Sequence, residues 1–132
     1  MRPSELLALA SRARRFGYAP YSNFAVGAAL LASDGRVFTG CNVENASLGL
    51  TLCAERVAVV KAVSEGARSF KALAIAGPGR AAIPPCGACR QVLAEFAPEL
   101  RIYWQSADRR VVARSLGRLL PEGFRFRSGP RR

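Results

Sequence analysis

Hydrophobic positions along the chain change period several times, and each change marks an element. Leu6, Leu9, Ala10, Ala13 and Phe16 recur at three- and four-residue spacing, which predicts an amphipathic first helix capped by Ser4 and stopped at Gly17. A loop follows from Tyr18 to Asn23, and then an apolar run from Phe24 to Ala32 without alternation, the signature of a strand buried on both faces. Asp34 and Gly35 form a turn signal, so a second strand near Val37 to Asn42 should fold back on the first as a hairpin. From Cys53 to Glu65 the chain is apolar nearly all round and is expected to be a helix packed under a sheet, ended by Gly66. Ala72 to Ala76 reads as a third strand, broken by Gly77, Pro78 and Gly79. Pro84 and Pro85 lead into a helix with Cys89, Val92, Leu93 and Phe96 on one face, stopped by Pro98. Ile102 to Gln105 and Val111 to Ala113 are the last two strands, and a short helical turn precedes Pro121. The link between these strands, about five residues, is too short for a parallel crossover, so they should pair antiparallel.

At 132 residues and half apolar, the chain has material for one domain, expected to span residues 1–132, with a basic and partly mobile tail after about residue 125. No uninterrupted apolar run is long enough to cross a membrane, and the short stretch Leu6 to Ala10 is flanked by charge, so a soluble cytoplasmic protein is expected. The formal charge of +11 points toward phosphates, yet the basic residues are scattered and only Lys61 and Lys71 are lysine; a nucleic-acid partner is therefore not expected.

Chemistry enters with what is missing. There is no histidine, which removes Ser-His-Asp and Cys-His catalysis and every His-liganded metal site. Acid-base work must then fall to a carboxylate, Tyr, Lys or a thiol. Of four cysteines, Cys86 and Cys89 form a C-x-x-C pair opening one helix, while Cys53 opens another two residues before Glu55. In a reducing compartment such a pair is a metal clamp or a redox motif rather than a disulfide. Three thiolates would bind zinc and leave a fourth tetrahedral position open for water, as a catalytic site requires. A closed structural site would want a fourth ligand, for which Cys41 is the candidate, and a thioredoxin-like pair would need neither a third cysteine nor the glutamate.

Three thiolates on a divalent ion carry a net formal charge of about −1. Two helix N-termini and the arginines following the ligands, Arg56 and Arg90, are expected to offset it, with both guanidinium groups donating to ligand sulfurs. Glu55 lies two residues from Cys53, a spacing that does not share a helix face, unless Cys53 occupies the capping position; it could then move protons at the attacking water.

The chain resembles the small homotetrameric cytidine deaminases nearly end to end. The likeness runs through Tyr18 to Ser22, Phe24 to Ala28, Gly40 to Ala46, Cys53 to Arg56, Lys61 to Gly66, Pro85 to Gln91 and Leu119 to Pro121. It implies an α/β fold, a three-layer α/β/α sandwich around a five-stranded mixed sheet. It also implies one Zn2+ per subunit and hydrolytic deamination of cytidine and deoxycytidine in pyrimidine salvage. By that resemblance Phe24 would stack on the pyrimidine, Asn42 and Glu44 would bind the ribose 3′-hydroxyl, and the Ala54 amide would hold the ring carbonyl. The Pro85 carbonyl would accept from the exocyclic amine, and Phe124 would enter from a neighbouring subunit. Leu48 stands where many relatives carry a tyrosine, so any hydrogen bond from that hydroxyl is missing. The rival readings are a deaminase of cytosine in nucleic acid or of a cytosine-containing antibiotic, and a non-enzymatic zinc or nucleic-acid binding module.

Overall fold

The structure, a computed structural model, describes residues 1–126. The expected tail therefore lies, from Arg127 onward, outside the described residues. Helix α1 (Pro3–Ala13) continues into a 3-10 turn, Arg14–Phe16, before strands β1 (Gly27–Ala32) and β2 (Val37–Cys41). Helix α2 (Ala54–Ser64), strand β3 (Phe70–Ala76) and helix α3 (Gly87–Phe96) follow. Strands β4 (Arg101–Gln105) and β5 (Val111–Ser115) and the single turn α4 (Leu116–Leu119) complete it. No helix among the described residues is long and apolar enough to cross a membrane.

The five strands make one mixed sheet in the order β2-β1-β3-β4-β5. Only β3 and β4 run parallel, joined through α3 as a crossover, while β4 and β5 pair antiparallel as their short link requires. Strand β1 lies inside the sheet between β2 and β3, and its side chains alternate between two separate cores. Ala28, Leu30 and Ala32 face α2 and α3, with Ala58, Ala62, Leu73 and Leu93, whereas Ala29 faces α1, with Leu6, Leu7, Ala10 and Ala74. The unalternating apolar run thus reflects a strand covered on both sides, and the three layers are α1, the sheet, and α2 with α3.

Two start signals differ from expectation. Ser4 lies inside α1; the cap is Arg2, and Pro3 takes the first helical position, where its missing N–H costs nothing and its fixed φ suits the helix. The Glu5 carboxylate accepts from the Arg2 backbone N at 3.4 Å and from its Nε at 2.7 Å. Phe16 lies beyond the helix and is exposed, with the Arg15 guanidinium 4.7 Å over its ring. The first strand begins at Gly27 rather than Phe24, because the Asn42 side chain replaces a backbone partner there: its Nδ2 donates to the Phe24 carbonyl at 2.8 Å and its Oδ1 accepts from Val26 N at 3.0 Å.

Two glycines in the β1 and β2 hairpin set the helix positions. A Cβ at Gly27 would stand 2.0 Å from the Ala10 carbonyl oxygen of α1, and one at Gly40 would stand 2.4 Å from the Ala54 oxygen and 2.6 Å from the Ala58 nitrogen of α2. Ala28 is registered opposite Gly40, and α2 presents Ala54, Ala58 and Ala62 at four-residue intervals, all fully buried. Small residues on both surfaces let α2 lie close to the sheet. Gly40→Ala should therefore lower stability by about 1–3 kcal/mol, since backbone atoms would have to move, and should weaken retention of a metal at the α2 N-terminus. Urea unfolding checks it, against Gly49→Ala, where a Cβ meets nothing within 4 Å.

Candidate active site

The sheet and its α2 and α3 layer bring two helix N-termini together. Cys53 caps α2 with an extended backbone, φ −71° and ψ 154°, and Cys86 caps α3 likewise, φ −66° and ψ 167°. Cys89 lies in the first turn of α3, and its backbone N–H donates to the Cys86 sulfur at 3.5 Å. The Cys53 and Cys86 sulfurs are 4.0 Å apart, those of Cys86 and Cys89 3.4 Å apart, and all three ligand atoms lie within 4.8 Å of one another. Sulfurs held at about 2.3 Å around a tetrahedral ion stand roughly 3.8 Å apart, so the measured separations bracket what zinc needs. Cys41 is a free cysteine on β2 and is not in this group, which leaves a three-donor set with room for a further ligand.

Electrostatics in the cluster are uneven. The Cys53 thiol is drawn down to about 5, chiefly by its hydrogen bond with Cys89 and then, against the cost of burial, by Arg56. The Cys89 thiol is pushed up, because it supplies that hydrogen bond and is itself buried. Arg56 donates through Nη2 to the Cys53 sulfur at 3.6 Å and to the Thr51 carbonyl at 3.0 Å, so the expected contact with a ligand sulfur is present. Arg90 takes a different place. Its Nε donates to the Pro85 carbonyl at 2.8 Å and its Nη1 to the Leu119 carbonyl at 2.9 Å, which ties the loop before Cys86 to the last residue of α4. From the C-terminal side of Cys89 the guanidinium finds two backbone acceptors, and these satisfy it in place of a sulfur.

Because Cys53 is the cap, Glu55 is the second residue of α2 and lies beside the thiols instead of opposite them. It is 4% exposed, one of two buried polar residues among those described. Burial raises its carboxyl above the ordinary value, and the neighbouring Cys53 charge acts in the same direction. A carboxyl biased toward its protonated form beside a metal-type site can carry a proton between two partners.

Several of the residues expected to contact a nucleoside have side chains engaged within the chain. Asn42 is buried and bridges Phe24 and Val26 as described. Glu44 accepts from the Tyr21 and Ser22 backbone nitrogens at 2.9 and 3.1 Å and from the Ser22 hydroxyl, holding the 18–23 loop against the end of β2. Phe24 is 38% exposed. The Ala54 N–H is the first of α2, a position with no intrahelical acceptor, and points from a helix start. Phe124 is 70% exposed, with its backbone clamped by the Gln91 side chain, which donates to its carbonyl at 2.9 Å and accepts from its N–H at 3.2 Å. Its ring meets Phe126 edge-on at 5.8 Å between centroids. Gln91, Ser22 and Thr51 were not singled out from the sequence. Nothing in the spacing marks them, because each acts through a backbone group brought near by the fold.

Residues 2–105 match the family described as "Cytidine and deoxycytidylate deaminase zinc-binding region". The chain is 47% identical over 121 residues to a cytidine deaminase of Sporosarcina psychrophila, covering 91% of this chain and 89% of that one. It is 50% identical over 123 residues to a cytidine deaminase of Mycobacterium tuberculosis, covering 92% and 89%. In three dimensions it is similar to the crystal structure of cytidine deaminase from Burkholderia pseudomallei, with a TM-score of 0.89 and 49% identity over 94% of this chain and all of that one.

Purified protein should carry one zinc per chain, read by atomic absorption. Cys53→Ala, Cys86→Ala and Cys89→Ala should each abolish stoichiometric binding. Arg56→Gln should keep the fold and weaken zinc affinity roughly 10- to 100-fold, as loss of a group bonded to a ligand does.

Proposed function

The chain belongs to the zinc-binding family of cytidine and deoxycytidylate deaminases, and from that premise we propose how it hydrolyses cytidine and deoxycytidine to uridine and deoxyuridine with release of ammonia. It is an enzyme, a zinc-dependent cytidine deaminase. The observation that carries this reading to the residues is the buried Glu55 beside three converging sulfurs. Cys53, Cys86 and Cys89 would hold zinc, which when bound would supply Lewis acidity beside Glu55.

Glu55 is the proton carrier. It takes one proton from the attacking water and delivers it to the ring nitrogen, then carries the proton left on the added hydroxyl to the departing amine, so one water is consumed and one ammonia leaves. A raised carboxyl suits both halves of that work. Arg56 offsets thiolate charge through Cys53, and the two helix N-termini add their partial positive charge.

Substrate positioning falls to groups around the cap of α2. The Ala54 N–H, having no helical acceptor, suits the ring carbonyl, and the Pro85 carbonyl suits the exocyclic amine, keeping a lone pair beyond the one Arg90 occupies. Phe24 offers a partly exposed ring for stacking. Asn42 and Glu44 are proposed to bind the ribose hydroxyl; an ionised carboxylate has about four acceptor sites, of which Glu44 spends three within the chain. Leu48 removes a hydroxyl at the same rim.

We further propose a homotetramer in the cytoplasm, serving pyrimidine salvage. Its support is the exposure of the large apolar side chains Leu48, Leu50, Phe124 and Phe126, which contact between copies would cover. Phe124 then completes the pocket of a neighbouring copy.

Two measurements test this reading. Ammonia release from cytidine should fall roughly 10²- to 10⁴-fold in Glu55→Gln with zinc content unchanged. Wild-type protein that holds zinc and leaves cytidine intact would refute it. Phe124→Ala should raise KM while leaving zinc content and Glu55 chemistry in place, and mixing it with Glu55→Gln under subunit exchange should restore part of the lost activity. No restoration would argue that each pocket is built by one chain.

A further inference from the structure

A second concave site lies away from the thiols, on the α1 face of the sheet at the carboxyl ends of the parallel strands β3 and β4. It has a volume of about 210 Å³ and is lined by Ser11 and Arg14 from α1 and its extension, Gly79 and Arg80 after β3, and Ser106 and Arg109 after β4. Crevices at the carboxyl ends of parallel strands are where open α/β sheets bind ligands. Three guanidinium-bearing residues converge there from three separate elements, and no carboxylate is in the lining.

Among the described residues, no carboxylate forms an ion pair with Arg14, Arg80 or Arg109. The ion pairs among the described residues are Arg2 with Glu5, Arg36 with Asp34 and Arg110 with Asp108. Asp108, the acidic residue beside Arg109 in sequence, is occupied by Arg110 and the Ser106 hydroxyl. Arg14 is fixed by its Nε, which donates to the Ala25 carbonyl at 2.9 Å, so the rest of its fork is available. Arg109 holds a left-handed backbone, φ 67°, at the end of a turn closed by its N–H to the Ser106 carbonyl at 2.8 Å. Glycine or asparagine is the ordinary occupant of such a position, so an arginine there is held against its backbone preference.

From this geometry we propose that the cavity binds a small diphosphate- or triphosphate-bearing anion. Planar guanidinium forks match phosphoryl oxygens, three of them match the three to four negative charges of a pyrophosphate group, and the volume exceeds what a single phosphate fills. None of the three sulfur-bearing residues of the metal-type centre, nor Glu55, is in the lining of the cavity. The cavity also gives part of the +11 charge a definite place, where the scattered distribution of arginines along the sequence suggested none.

Calorimetric titration of the zinc-loaded protein with pyrophosphate tests it, with inorganic phosphate and a short single-stranded oligonucleotide as separate arms. One pyrophosphate per chain should bind, more tightly than phosphate. The double variant Arg80→Gln with Arg109→Asn should weaken it roughly tenfold or more. Arg80→Glu alone is the second variant, since no side-chain hydrogen bond of Arg80 exists among the described residues to be lost. Arg101→Gln with Arg118→Gln removes the same charge at the opposite end of the sheet and should change binding less than twofold. Equal weakening by the two double variants would reduce the effect to diffuse charge and overturn the proposal, as would absence of saturable binding. Tighter binding of the oligonucleotide, lost in the Arg80 and Arg109 variant, would replace the small anion by nucleic acid and overturn it as well.

Discussion

Everything at the metal-type centre depends on how closely α2 approaches β2. A helix is usually held off a sheet by the side chains that pack between them. Here Gly40 has no side chain beneath the Ala54 and Ala58 backbone, and the alanines of α2 add little thickness. On the other face Gly27 does the same for α1 beneath Ala10. The central hairpin is thus squeezed from both sides at neighbouring positions. Such contacts leave few alternative placements, since densely packed backbone cannot slide without opening voids or clashes. The cap residue Cys53 inherits that precision, and so does the distance from its sulfur to the sulfurs on α3.

Fixing three thiols within 4.8 Å has an electrostatic cost, and the chain meets it locally. Thiolates repel one another, and the sites that relieve the repulsion are helix N-termini, the Cys89 N–H on the Cys86 sulfur, and Arg56 on the Cys53 sulfur. Arg56 in turn is steadied by the Thr51 carbonyl just before the helix. Glu55 belongs to the same balance. Its burial, chiefly, and then the Cys53 charge both act against ionisation of the carboxyl.

Several polar side chains hold backbone segments together. Asn42 completes the ladder that β1 lacks at Phe24, tying the Phe24 backbone to the end of β2. Glu44 pins the 18–23 loop to that end. Arg90 joins the Pro85 carbonyl to Leu119, and Gln91, next in sequence, grips Phe124. Helix α3 therefore carries a metal ligand at its start and, one turn later, the two side chains that hold the C-terminal arm. A change in the arm would be transmitted to Pro85 and Cys86 through two hydrogen bonds of one arginine.

The order of elements, the pairing of the last two strands, the strand buried on two faces and the metal-type cysteines were all legible in the sequence. Each rests on local constraints: period, turn chemistry, link length and the donor atoms of three thiols. The starts of α1 and β1 were misread for equally physical reasons. Pro3 outcompeted Ser4 as a helix signal, and a side chain distant in sequence, Asn42, substituted for strand pairing at Phe24. Arg90 looked the same as Arg56 in sequence, each following a cysteine, yet one reaches sulfur and the other two carbonyls. The difference is decided by which backbone acceptors the fold delivers beside each guanidinium. The arginine-lined cavity belongs to the same class, because Arg14, Arg80 and Arg109 become neighbours only when α1, β3 and β4 share one sheet end. Sequence alone determined which chemical groups this chain possesses and which elements bear them; only the tertiary structure decided which of them meet, since meeting requires contacts between residues far apart along the chain.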